Sequence, residues 1–341
     1  MHILKHLYLA PIWLLELLSS AKSFQSNPIL GNALLNRLGL HVCRLLLSHT
    51  IMRLRMHSLT WGLSKADRQA YFRDGYLLKE NYLSSSKHRC LKEELSLFSG
   101  ETRQSIQGNA IVERTALAPH TLSEAPALRS LLSAANFKRL CRFTSGHVRP
   151  PLFYLETIQN DAYEQGVDPQ KSFHSDTFHP TMKCWYFPNQ VTPKHGAFTY
   201  IPGSHRLTWK RLKWEYQQSI NATSLKNALS QRGSFRFSDE DIQVLGLTNP
   251  ISFTVHPNSL LFANTFGIHR RGDSEGSTTR TSIWGDSRTN PFIPFPGLTN
   301  NWINEFQYTL LNTYRKNVDR QAAKAGRPSP WKRVPKKDHS T

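Results

Sequence analysis

Cysteine is scarce: four in 341 residues, at Cys43, Cys90, Cys141 and Cys184, with no Cys-x-x-Cys pair. That spacing excludes a disulfide framework and a zinc-thiolate site, and it points to a reducing, cytoplasmic setting. Cys184, beside Trp185 in an apolar stretch, reads as core. Long uninterrupted apolar runs are also missing. Leu7 to Leu18 is broken by Pro11 and Glu16 and is too short to span a bilayer. Leu34 to Leu54 contains Arg37, His41, Arg44, His49 and Arg53, too many polar groups for a transmembrane helix. Helices that pack on the domain, or lie on a membrane surface with the arginines outward, fit that pattern.

Acidic residues are the third shortage, 24 Asp and Glu against 43 Lys and Arg, for a net charge of +19. The excess is uneven: residues 1–59 carry +5 and residues 315–341 carry +7. Basic ends of this kind suggest an anionic partner surface, nucleic acid or membrane phosphate. Single-strand binding would need a basic stripe with interleaved aromatics, and the central region has none, so nucleic acid is not the expected partner.

What is present is a core-forming composition, 39% hydrophobic and 11% aromatic. The texture divides the chain into an apolar, basic helical extension (1–60), a central domain (61–314) and a basic tail (315–341) rich in Pro and charge, expected to be disordered. Ser64 with Asp67 three residues on predicts a helix N-terminus, and Gly75 a stop, with a short strand Tyr76–Lys79 and a helix 85–98 after it. From Pro150 onward short apolar runs alternate with turns: Leu152–Ile158, Lys183–Phe187, Ala197–Ile201, Ile251–Val255, Ser259–Ala263 and Thr279–Trp284. Many short strands at near-regular spacing predict a mainly β sandwich or jelly roll with flanking helices. Trp209 to Gln231 reads as a helical insertion.

One set of residues carries chemistry. Ferrous iron that activates dioxygen needs two His and one carboxylate on one face, leaving positions open. His174-Ser-Asp176 supplies two, because residues i and i+2 of a strand share a side. By chance alone a chain with this many His, Asp and Glu holds about one His-x-Asp/Glu, so the pair means little by itself. Context strengthens it. His269 closes the apolar run Leu260–Ile268 at a strand mouth, where a distal third ligand belongs. Eleven residues later Arg280 and Ser282 share a strand face. An arginine fork with a hydroxyl beside it is the expected receptor for the distal carboxylate of 2-oxoglutarate. His179, His205 and His195 read as anchoring, turn or solvated residues.

These segments resemble the phytanoyl-CoA dioxygenase-like branch of the Fe(II)/2-oxoglutarate oxygenases. The likeness rests on His174-Ser-Asp-Thr-Phe-His-Pro180, Trp185, Gly196-Ala-Phe198 and Pro202-Gly-Ser-His205. Asn264 to His269, Arg280 and Ser282 carry it further, with Tyr71 to Leu78 upstream, over roughly residues 64–290. The resemblance implies a double-stranded β-helix (cupin-like) fold and Fe(II) on His174, Asp176 and His269. It implies 2-oxoglutarate on Arg280 and Ser282 with Trp185 lining its pocket, dioxygen as oxidant, and hydroxylation of an unactivated C–H. The retained Asp176 favours hydroxylation over halogenation. The expected substrate is a small or lipid-like molecule with an anionic head. The basic ends leave room for peripheral contact with an anionic membrane. The competing readings are a non-catalytic cupin-like lipid- or nucleic-acid-binding module and an enzyme using another metal.

Overall fold

In the computed structural model, residues 8–163, 166 and 168–334 are described. The first strands are β1 (Tyr76–Lys79), β2 (Thr102–Gln107), β3 (Ala110–Ala116) and β4 (Leu152–Asn160). The middle of the chain adds β5 (Met182–Phe187), β6 (Phe198–Tyr200), β7 (Ile251–Ser252) and β8 (Ser259–Asn264). The set closes with β9 (His269–Arg271), β10 (Thr278–Ser287) and β11 (Lys332–Val334). A major sheet runs β1-β8-β5-β10-β4-β3-β2-β11 and a minor one β7-β6-β9, and the pairings are antiparallel.

The period of two in each strand explains the layers. Cys184, Tyr186, Leu260, Phe262, Ile283 and Phe153 turn to one face of the major sheet. There they pack on helices through residues such as Leu91, Leu128, Phe137 and Phe143. Their neighbours Trp185, Phe187, Leu261, Ala263, Trp284 and Tyr154 turn to the other face and meet Phe198, Tyr200 and Phe253 of the minor sheet. Two facing sheets with helices outside make a double-stranded β-helix, mainly β as the strand spacing predicts. Cys184 is core, 1% exposed.

The Ser64 hydroxyl accepts from Asp67 N–H at 3.0 Å and opens the helix Lys65–Asp74, which Gly75 ends in the left-handed conformation. The polar hairpin β2–β3 goes beyond the expected strands; its few apolar residues leave no strong alternation to read. The expected strand Ser259–Ala263 is β8, and the apolar run that His269 closes does not simply prolong it. That run breaks after Asn264 and crosses from the major to the minor sheet through Thr265 to Ile268. A Cβ on Gly267 would collide with the Tyr200 hydroxyl, so that crossing admits no side chain there.

The expected disorder of the tail is corrected over residues 315–334: the helix Asn301–Lys324 runs into the tail and, beyond it, β11 pairs with β2. Tyr308 anchors that helix, its hydroxyl accepting from Phe153 N–H at 2.9 Å, and Asp319 pairs with Arg103 at 2.9 Å. High charge forbids order only when nothing compensates it. The remaining residues of the tail, 335–341, lie outside the described region, as do 1–7.

Of the two arrangements expected for Leu34 to Leu54, the helix Leu40–Ser58 takes the packed one, and it buries Arg44, with Arg55 beyond that stretch, instead of turning them outward. Arg44 donates to the carbonyls of Leu17 (2.8 Å) and Ala21 (2.7 Å). Arg55 donates to Gly146 O (2.6 Å) and Thr289 Oγ1 (2.9 Å). The charges go inside because carbonyl acceptors await them.

Candidate metal centre and its cavity

His174 and His269 meet as an antiparallel bridge, His174 N–H donating to His269 O at 2.9 Å and the reverse at 3.0 Å. Asp176 N–H donates to Thr265 O at 2.9 Å. The His-x-Asp segment is therefore clamped between the sheet crossing and residues 235–236, by isolated bridges and not within a regular strand. All three side chains are buried.

Carbonyl oxygens can only accept, so the Nδ1 bonds of the two histidines fix their tautomers. His174 Nδ1 donates to Ser172 O and His269 Nδ1 to Gly267 O, both at 2.8 Å. Each ring then presents the Nε2 lone pair inward, 3.7 Å from the same Asp176 Oδ1. His269 Nε2 is buried without a hydrogen-bond partner among the described residues. Burial brings His269 down to about 4 and, with His269 next to it, holds His174 well below the ordinary histidine range. Both are neutral donors at neutral pH. Burial alone would raise the Asp176 carboxyl, but Lys183, His269, Arg288 and His174 outweigh it and hold it well below the usual carboxylate range. The three donor atoms lie within 4.8 Å of one another. An ion at about 2.0–2.2 Å from N and O ligands fits this donor set, and an orphaned buried lone pair is the mark of a missing ligand.

The centre opens on a cavity of about 370 Å³. Trp185, tilted against Phe198 at 4.6 Å between centroids, and Trp284 form its apolar wall. Arg280 lines it too, 7% exposed; Nη1 donates to Gly196 O at 2.7 Å, while Nε is buried without a partner among the described residues. Burial, then Arg271, lowers its pKa to about 10, and it stays charged. Ser282 lies two residues on along the same face of β10, 1% exposed and outside the cavity lining. His179, His205 and His195 stay clear of the centre: His179 Nδ1 donates to Pro180 O at 3.0 Å, and His195 Nδ1 accepts from Thr192 N–H at 3.1 Å.

Several residues in the cavity wall, and Lys22 behind it, escaped the sequence reading. Lys183 Nζ sits 2.7 Å from Asp176 Oδ2, and Arg288 Nη2 3.8 Å from the same atom. Arg236 lines the cavity beside His174. Lys22 Nζ donates to the Asp176 carbonyl and, at 2.6 Å, to Ser234 Oγ. For two of them a signal existed. Lys183 shares its strand face with Trp185, and Arg288 continues the alternation Arg280, Ser282, Trp284, Asp286. Lys22 offered none, because nothing local ties it to a site 154 residues away.

No protein-family model matches the chain, and no curated protein matches it. Among solved structures it is similar to the non-heme alpha ketoglutarate dependent epimerase SnoN from nogalamycin biosynthesis (18% identity, 67% of this chain and 82% of that one, TM-score 0.45). A second is HygX from Streptomyces hygroscopicus with nickel and 2-oxoglutarate bound (13%, 66% and 87%, 0.43). A third is EctD from S. alaskensis with bound Fe (16%, 66% and 76%, 0.39).

Proposed function

We propose that the chain is an Fe(II)- and 2-oxoglutarate-dependent dioxygenase that hydroxylates an unactivated C–H. The observation that supports it best is the pair of imidazoles locked with Nε2 toward one carboxylate oxygen, with Arg280 buried and partly unsatisfied on the same cavity. In this reading His174, Asp176 and His269 hold the iron, leaving positions open for 2-oxoglutarate and dioxygen. The bound iron would supply oxidation at the expense of 2-oxoglutarate, which leaves as succinate and carbon dioxide.

The rest is the protein's work. Arg280 holds the distal carboxylate of 2-oxoglutarate, with Ser282 buried two residues along the same strand face and not in the cavity lining; the Gly196 carbonyl engages only Nη1 of the guanidinium, which leaves further donors for the ligand. Trp185 and Phe198 keep that end dry. The low pKa of Asp176 keeps its carboxylate charged and ready at any physiological pH. A zinc hydrolase would leave Arg280 without a role, and a non-catalytic module would not require the intact triad.

Anaerobic titration with Fe(II) and 2-oxoglutarate tests this. The wild type should develop the weak visible charge-transfer band of the chelate, and His174→Ala should not. Arg280→Lys should keep iron while 2-oxoglutarate binds about ten- to a hundredfold more weakly, since an ammonium cannot form the fork. Tight binding of another metal with no band would overturn the assignment.

A second reading concerns location. Leu34, Leu38, Leu46, Leu47, Leu54 and Trp61 are exposed on the N-terminal helices near Arg37 and Arg53. This supports peripheral contact with an anionic lipid surface. No helix of the described residues is long and apolar enough to cross a membrane.

A further inference from the structure

The cavity holds more positive charge than the metal centre and cosubstrate account for. Three of its arginines are neutralised by carboxylates: Arg114 by Glu156 at 2.6 Å, Arg271 by Asp168 at 2.6 Å and Arg270 by Asp273 at 3.3 Å. Four cations remain on the wall, Lys183, Arg236, Arg280 and Arg288, and among the described lining residues the carboxylates besides Glu156, already paired to Arg114, are Asp176 and Asp286. Lys22 lies just behind, its Nζ donating to the Asp176 carbonyl and to Ser234 Oγ. A divalent ion and the two carboxylates of 2-oxoglutarate cancel in formal charge, so binding both leaves this excess where it was.

Like charges gathered in a partly enclosed site repel one another, which costs stability unless a ligand relieves it. Arg236 is the clearest case. Its guanidinium rests on the carbonyls of Ser234 (3.1 Å) and Pro169 (3.5 Å), and among the described residues no carboxylate pairs with it. Arg288 has only long contacts, 3.6 Å to Asp286 and 3.8 Å to Asp176, and its side chain is 46% exposed at the mouth. Both retain donors for a further anion. Arg280 is already committed to 2-oxoglutarate in the reading above.

We infer that the substrate is an organic molecule bearing an oxyanion, a phosphate monoester or a carboxylate, which Arg236 and Arg288 grip beside the metal. This rests on the dioxygenase reading for what happens to the substrate, but not for the anion site itself. A cavity of about 370 Å³ admits a small molecule or a head group. The anion also has a positioning role. Held by two forks, it fixes one end of the substrate so that a chosen C–H meets the centre.

The test uses the full chain, anaerobic, with Fe(II) and 2-oxoglutarate and again without them. Calorimetric titration compares three probes of similar shape: phenyl phosphate, benzoate and benzyl alcohol. Both anions, or one of them, should bind at least tenfold more tightly than the alcohol and lose affinity as NaCl rises. Preference between phosphate and carboxylate identifies the group. Arg236→Gln and Arg288→Gln should each weaken the preferred anion about tenfold or more, and Arg236→Lys and Arg288→Lys should recover part of it. Arg288 is half-exposed, so its variants report on binding even if those of Arg236 fold poorly.

Equal binding of all three probes, no binding of either anion, or affinity unchanged in Arg288→Gln would overturn the anion site. The chelate band is read in the same samples. A band without anion discrimination sinks this inference alone; arginine-dependent anion binding without a band sinks the cofactor reading alone.

Discussion

Burial does different things to different ionisable side chains here, and the neighbours decide. Asp176 is buried yet held ionised, because cations crowd its carboxylate. His179, buried among apolar groups with Pro180 O accepting from Nδ1, is pushed down to about 3, mainly by desolvation. His147 and His205 are brought down to about 4, also by burial first. All three have folded pKa values below the unfolded value of about 6.5. From about pH 6.5 down to those values, the unfolded chain therefore binds protons that the folded chain does not. Stability is full above pH 6.5 and falls as acid is added, by up to about 1.4 kcal/mol per pH unit for each such histidine. Urea unfolding of chelator-treated protein at pH 7, 6 and 5 should show this decline. His174, His269 and His49 are depressed by burial as well, so His179→Gln, whose amide can still donate to Pro180 O, should flatten the slope by only one histidine's share, up to about 1.4 kcal/mol per pH unit. A midpoint constant from pH 7 to 5 would contradict the desolvation of these rings.

At the level of elements, the His174–Asp176 segment is held by a relay that starts in a remote helix. His41 of the helix Leu40–Ser58 contacts Glu215 at 2.9 Å. Glu215 pairs with Arg211 at 2.9 Å inside the helix Trp209–Ile220, and Arg211 Nη2 donates to Ser175 Oγ at 3.0 Å. Ser175 sits between His174 and Asp176 and donates to Phe266 O at 2.7 Å. Every member of the relay is buried, so removing its one negative charge strands Arg211 in a dry site. Glu215→Gln should cost about 3–5 kcal/mol in urea unfolding and weaken Fe(II) binding, whereas the double change Glu215→Leu with Arg211→Met should cost less. Equal losses in the two would show that volume and not charge governs this site.

His174, Asp176, His269, Arg280 and most strands of the sandwich were legible in the sequence because those follow from local period and turn chemistry. The relay was not legible there, nor were the arginines turned inward on the helix Leu40–Ser58. Both depend on acceptors supplied by segments far along the chain. Lys183 and Arg288 fall between the two cases: their strand faces were readable, but charged residues on a strand's inner face are easily taken for solvated ones.

For the molecule as a whole, the inward turn of Arg44 and Arg55 has a counterpart on the outside. The buried stripe of the helix Leu40–Ser58 carries His41, Arg44, Ser48 and Arg55 beside Leu45, Met52 and Met56, while Leu46, Leu47 and Leu54 face solvent. Residues 8–60 are at the same time bound into the domain. Phe24, 3% exposed, stacks on Phe235 at 5.7 Å, and Lys22 reaches the Asp176 carbonyl. The segment is thus fixed on one side and apolar on the other, with Arg37 and Arg53 exposed among the leucines. If lipid covers this face, attraction to anionic head groups adds to burial of the leucines. The full chain should float with vesicles containing anionic lipid and much less with neutral ones. Leu46→Ser with Leu47→Ser should reduce flotation severalfold without altering the Fe(II)–2-oxoglutarate band, because neither residue lies in the cavity wall. Equal partition to neutral and anionic vesicles, or no flotation at all, would sink the membrane reading. It would leave the cationic cavity to be explained by a freely diffusing anionic substrate alone.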